Sequence, residues 1–121
     1  MYGVPADLPL DRFVRHELNQ IALGRFQIQL RFASVGSISV EGRWELRDPM
    51  GALVDVSQEH ADRESYRLHL VLDLPVARFE IDAPRSFTLV FDPSYRLTVF
   101  DDTEQYESFS VHIDGLPSIY V

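Results

Sequence analysis

Polar and apolar residues alternate without a break from Arg25 to Phe32: Phe26, Ile28, Leu30 and Phe32 fall on one side, Arg25, Gln27, Gln29 and Arg31 on the other. This period of two is that of a half-buried strand. After Ala33-Ser34-Val35-Gly36 the alternation resumes over Ser37–Arg47, with Ile38, Val40, Trp44 and Leu46 on the apolar side. Two such runs around a glycine-containing break predict an antiparallel hairpin. Gly42 falls on the apolar side and predicts a bulge or the close crossing of another element. Asp48-Pro49-Met50-Gly51 is turn chemistry and ends the run. Upstream, Leu18–Leu23 reads as a strand, and Leu10, Phe13 and Val14 have the i, i+3, i+4 spacing of a helical turn.

The middle of the chain carries two periodicities. Tyr66, Leu68, Leu70 and Leu72 alternate as a strand does, whereas Ala61, Ser65, Leu68, Val71 and Leu72 form a helical stripe. Ser57 or Asp55 is placed to cap a helix over this stretch, and Pro75 forbids its continuation. Beyond it lie four strand patterns, Val76–Asp82, Ser86–Phe91, Arg96–Asp101 and Glu107–Ile113, separated by turn segments. The tail, Leu116–Val121, is apolar enough to predict docking against the body.

The apolar frame recurs along the chain. Leu10, Phe13, Val14, Leu18, Ile21 and Leu23 coincide with Leu68, Val71, Leu72, Val76, Phe79 and Ile81; after one inserted residue, Ile28, Leu30, Phe32, Ile38 and Val40 coincide with Phe87, Leu89, Phe91, Leu97 and Val99. The match favours a helix around 68–72. It predicts one domain over residues 1–121, with internal αβββ-like repeats at about 10–48 and 68–113. The expected fold class is α+β: an antiparallel sheet, open or curled into a partly closed barrel, with two helices over one face.

Composition narrows the function. The 121 residues carry a formal charge of −8, and all eleven basic residues are arginine. A phosphate backbone needs a basic surface, so nucleic acid is disfavoured and a basic protein partner is favoured. Without lysine there is neither a Schiff-base amine nor a P-loop lysine. Without cysteine there is neither a disulfide nor a thiolate metal site. No apolar run is long enough for a membrane helix. The first ten residues lack the basic start and apolar block of a secretory signal, which favours the cytoplasm.

Candidate chemistry is sparse. Asp101, Asp102 and Glu104, with Tyr106 and Glu107 beside them, form the densest acidic cluster. It reads as a solvated turn first, then as a surface for a basic partner, and last as a hard-cation site, since the glycine and twelve-residue frame of an EF-hand are missing. His60 and Glu64, flanked by Glu59 and Asp62, have half the spacing of a zinc helix but no second histidine, which leaves an ion-paired surface. His16, His69 and His112 are scattered; Ser108 and Ser110 share a strand face with His112, but no nucleophile elbow accompanies them. Trp44, the only tryptophan, reads as core or as the anchor of a pocket or interface. The polar positions Arg25, Gln27, Gln29, Arg31, Glu41, Arg43, Glu45, Arg78 and Glu80 read as one wet sheet face with interleaved signs, or as a docking surface whose charges select a partner. No catalytic set, metal set or cofactor motif emerges.

Leu18-Asn19-Gln20-Ile21, Phe26–Phe32, Ile38-Ser39-Val40-Glu41, Leu97–Asp102 and Tyr106-Glu107-Ser108 together resemble a family of small bacterial single-domain proteins of unknown function. That family carries no established activity or catalytic residue to transfer. Small acidic proteins of this kind also resemble the immunity partners of bacterial toxins, an analogy of size, charge and class. The sequence thus predicts a non-enzymatic, immunity-like protein. A basic partner would meet Asp101, Asp102, Glu104, Tyr106, Glu107 and Trp44. The alternative is a small-ligand domain with its pocket between helix and sheet near Trp44.

Overall fold

Ten strands carry the chain in the computed structural model, which describes residues 3–58, 65–101 and 107–121. They are β1 (Gln20–Leu23), β2 (Ile28–Phe32), β3 (Gly36–Val40), β4 (Trp44–Arg47), β5 (Leu53–Val56), β6 (Val76–Asp82), β7 (Ser86–Phe91), β8 (Tyr95–Phe100), β9 (Phe109–Ile113) and β10 (Ile119–Tyr120). They form two five-stranded sheets, ordered β1-β2-β3-β9-β10 and β6-β7-β8-β4-β5, and every paired neighbour is antiparallel. The apolar faces close on each other: Phe87 of one sheet meets Phe109 of the other edge to face at 4.8 Å. Ile28, Leu30, Ile38, Leu46, Leu89, Leu97 and Val111 fill the space between.

The expected α+β class is therefore wrong. Among the described residues there is no α-helix, only two four-residue 3-10 turns, Leu10–Phe13 and Leu68–Val71, and neither sheet closes into a barrel. The physical reason lies in the spacing. In a 3-10 turn the side chains at i and i+3 stack on one side, so Leu10 with Phe13 and Leu68 with Val71 are buried without a longer helix. The next residues, Val14 and Leu72, are already extended. Arg15 and Asp73 then adopt positive φ, 74° and 68°, which no helix tolerates. The second sheet, not helices, covers each apolar face. The proposed helix over 57–72 also loses its caps. Ser57 Oγ accepts from the Trp44 N–H at 3.2 Å, and Asp55 reaches the 3-10 turn from β5. Residues 59–64 lie outside the described part.

The run Ser37–Arg47 is two strands rather than one. β3 and β4 belong to different sheets, and the chain crosses between them at Glu41, Gly42 and Arg43. There the N–H groups of Glu41 and Gly42 both donate to the Ser108 carbonyl at 2.9 Å. A Cβ on Gly42 would stand 3.4 Å from the Ser108 Cα, so the glycine marks the crossing of two backbones. The alternating pattern survives because Ile38, Val40, Trp44 and Leu46 all face the same core from opposite sheets.

Each sheet combines a three-strand meander from one half of the chain with a two-strand hairpin from the other. Where the halves meet, backbone bonds come in matched pairs. Leu18 N–H donates to Leu74 O at 3.2 Å and Val76 N–H to His16 O at 3.0 Å. Arg15 N–H donates to Val76 O and Asp73 N–H to Leu18 O, both at 2.7 Å. The docked tail ends in Val121, which is buried.

The expected single polar face is divided. Gln29 and Arg31 lie on the outside of one sheet, and Glu45, Arg78 and Glu80 on the other. Arg25 and Gln27 sit in the β1–β2 turn, and Glu41 and Arg43 at the crossing. On the second sheet Arg96 holds Glu80 through two nitrogens, at 2.6 and 3.0 Å.

Candidate functional site

One end of the sandwich holds a recess of about 350 Å³. Its walls are the β1–β2 turn (residues 24–28), the end of β3 with the crossing (Val40, Glu41 and Gly42), Trp44, the residues after β5 (Ser57 and Gln58) and Tyr66. The local sequence sets this shape. Gly24 N–H donates to Gln27 O at 2.8 Å and closes the turn tightly, so Arg25 and Phe26 project from it. Phe26 is 71% exposed, with the Arg25 guanidinium 5.1 Å from its ring centre. Alternation had assigned Phe26 to the apolar face beside Ile28; the turn places it outside. Gly42 lines the recess with backbone alone.

Trp44 is fixed from both sides of its backbone, since its N–H meets Ser57 Oγ and its carbonyl accepts the Ser57 N–H at 2.9 Å. Only 4% of the residue is exposed, yet it lines the recess. Trp44 is thus a core residue that also borders the recess. No helix borders the recess among the described residues; turns and the crossing do.

The acidic cluster is used differently. Asp101 Oδ2 accepts the Gly3 N–H at 2.6 Å and Oδ1 accepts the Ser108 hydroxyl at 2.7 Å. Burial raises its pKa, but hydrogen bonds, those of Ser108 and Gly3 among them, outweigh this and hold it below the ordinary carboxylate value. Glu107 is half-buried before β9. Asp102, Glu104 and Tyr106 lie outside the described residues, as do Glu59, His60, Asp62 and Glu64. Asp101 is tied through the Ser108 hydroxyl to the crossing, where the Ser108 carbonyl receives the Glu41 and Gly42 N–H groups.

A serine and a histidine do meet, on the outer face of the first sheet. Ser110 Oγ lies 2.9 Å from His112 Nε2, and Ser118 Oγ lies 2.7 Å from Nδ1. Ser110 is only 4% exposed, so its hydroxyl does not present itself to a substrate. A shallow polar depression beside them is lined by Gln20, Gln29, Arg31, Ser37, Ser39 and His112. His69 stands apart, near the Tyr66 carbonyl. No three acidic or histidine residues converge as a metal site among the described residues.

Comparison with known proteins adds no relative: no family model, curated protein or solved structure matches the chain. No helix is long and apolar enough to cross a membrane among the described residues.

Phe26 and Tyr66 were not singled out by sequence reasoning as site residues, and Arg25 only as one position of the polar sheet face. The available signal was Gly24 directly before Arg25-Phe26, which marks a turn tip rather than a continuing strand.

Proposed function

We propose that this protein is a non-enzymatic binding domain whose ligand seats in the recess beside Trp44. The observation that carries this reading is the recess itself: three aromatic residues, Phe26, Trp44 and Tyr66, border it. Its volume is at the lower end of the range typical of small-ligand sites, about 300–1,000 Å³. A concave aromatic surface gains from shedding water, and its polar rim of Arg25, Glu41, Ser57 and Gln58 orients what enters. The test is a screen of small apolar alcohols and carboxylates, cyclohexanol and benzoate among them, read by Trp44 emission and thermal shift. A ligand of the native state raises the apparent melting temperature and changes the emission saturably. A panel that moves neither signal refutes the reading.

A second reading, recruitment of a basic and immunity-like protein partner to the acidic stretch at 101–107, is favoured by the net charge of −8. The Asp101 carboxylate has internal partners, so charge reversal at Asp102 and Glu104 is the sharper test. It lowers the association rate with such a partner under this reading and leaves it unchanged otherwise.

A further inference from the structure

The outer face of the first sheet carries short polar side chains in its middle and longer ones to either side. Register sets Arg31 beside Ser37 and Ser37 beside His112; in the next row Gln29 lies beside Ser39 and Ser39 beside Ser110. The residues between them, Leu30, Ile38 and Val111 among them, turn into the core, so the polar set shares the opposite side. Serines of β3 thus floor a trough, with Gln29 and Arg31 of β2 along one wall and His112 of β9 along the other. Two strand spacings, about 10 Å, separate the walls. The depression there has a volume of about 570 Å³ and reaches from the β2–β3 turn to Gln29 and Ser39. Small-ligand sites span about 300–1,000 Å³.

The walls are braced. Gln29 Oε1 accepts from Arg31 Nη2 at 2.7 Å, and Asn19 Oδ1 accepts the Ala33 N–H at 2.6 Å. With these oxygens engaged, the two amides offer their N–H groups to a ligand. The His112 ring meets the Ser110 and Ser118 hydroxyls at its two nitrogens, and the Tyr120 ring stands edge to face with it at 5.7 Å. Tyr120 is 55% exposed and continues that wall as an aromatic surface.

Ser39 decides what the trough can do. It is 8% exposed, lines the depression, and its hydroxyl has no partner among the described residues. A hydroxyl so buried is ordinarily hydrogen-bonded, and a partner for Ser39 comes from the depression it lines. Arg31 is the one cation of the lining; Asp114 stands in the same lining and the chain carries −8, so the field does not gather anions. The remaining groups are neutral. Sugar hydroxyls donate and accept as serine and amide groups do, and the C–H face of a sugar ring rests favourably on the negative face of an aromatic ring.

We infer that this trough is a second site, separate from the Trp44 recess, and that it binds an uncharged oligosaccharide. Ser39 bonds a sugar hydroxyl at the floor, and Gln29 and Arg31 bond others from the wall.

The test records nitrogen–proton correlation spectra of the full chain with cellohexaose, maltohexaose, mannohexaose, xylohexaose and chitohexaose, and with hexagalacturonate and inorganic phosphate as charged probes. At least one uncharged hexamer moves the backbone signals of Gln29, Arg31, Ser39 and His112 together and saturably, while the Trp44 indole signal stays in place. Ser39→Ala gives up no hydrogen bond within the protein, so it melts as the parent does, yet it binds the responding hexamer about fivefold more weakly. Arg31→Gln, at an exposed position, weakens binding by a similar factor. Parental affinity in both variants overturns the inference. So does saturation by hexagalacturonate or phosphate alone, which makes the trough an anion site. Silence towards every hexamer overturns it too, and hexamer shifts confined to Trp44, Arg25 and Glu41 overturn it while sparing the recess.

Discussion

Asp55 is the side chain whose loss the structure translates most directly into a measurable cost. It lies on β5, is 8% exposed, and turns its carboxylate inward rather than to water. Oδ2 accepts the N–H groups of Arg67 and Leu68 at 2.8 and 2.9 Å, and Oδ1 accepts that of Val56 at 2.9 Å. Two of these donors open the second 3-10 turn, where no backbone partner is available to them. Asp55→Ala removes charge-assisted bonds worth about 1.5–3 kcal/mol each and leaves the Leu68 N–H buried and unpaired. Part of the loss is recovered where the Arg67 N–H reaches water, so the expected cost is about 3 kcal/mol. For a chain of this size that lowers the melting temperature by about 10 °C. Asp55→Asn keeps one acceptor oxygen for Arg67 and Leu68 but turns an amide toward the Val56 N–H, and about half the cost is expected. Urea unfolding followed by circular dichroism measures both variants. An alanine variant within about 0.5 kcal/mol of the parent refutes the claim that Asp55 anchors the turn to the sheet.

Three further perturbations are specific. Gly36→Ala places a Cβ 1.9 Å from the His112 carbonyl oxygen, so β3 and β9 must part; a loss of about 3 kcal/mol or no soluble protein is expected, and parental stability in urea contradicts the tight crossing. Arg15→Gly relieves the positive φ of 74° and, after the added chain entropy, stabilises by about 0.5 kcal/mol; calorimetry that shows a lower melting temperature contradicts this. The Glu80 pKa is held below its ordinary 4.5, chiefly by the Arg96 hydrogen bond. Its stabilising contribution is thus complete above pH 4.5 and is lost as pH falls through the lower folded value. A proton titration by NMR places its midpoint below the ordinary value, and Arg96→Gln moves that midpoint upward; a midpoint indifferent to Arg96 contradicts the assignment.

Alternation was a faithful guide to which side chains face the core and a poor one to which sheet they belong. Ile28, Leu30 and Phe32 were legible because β2 buries one face and wets the other. The sheet change at Gly42 was invisible because Ile38, Val40, Trp44 and Leu46 keep one parity across it. The helices were misread because four or five residues cannot separate a 3-10 turn from the first turn of an α-helix. β5 was missed because its one charged residue, Asp55, faces in while Leu53 and Val56 are exposed. At the site, Trp44 was legible as the lone tryptophan on an apolar face. The exposure of Phe26 depended on where the β1–β2 turn closes. The internal role of Asp101 depended on Gly3, at the other end of the chain, and no local pattern reports such a partner.

The central claim is that the space beside Trp44 is where this protein binds. Nitrogen–proton correlation spectra recorded while cyclohexanol and benzoate are added to the full chain test it most directly. The claim predicts that the Trp44 indole signal and the backbone signals of Arg25, Phe26, Glu41, Gly42 and Ser57 move together and saturate, while those of Ser110 and His112 stay in place. Shifts confined to the outer face around His112, or none that saturate, contradict it.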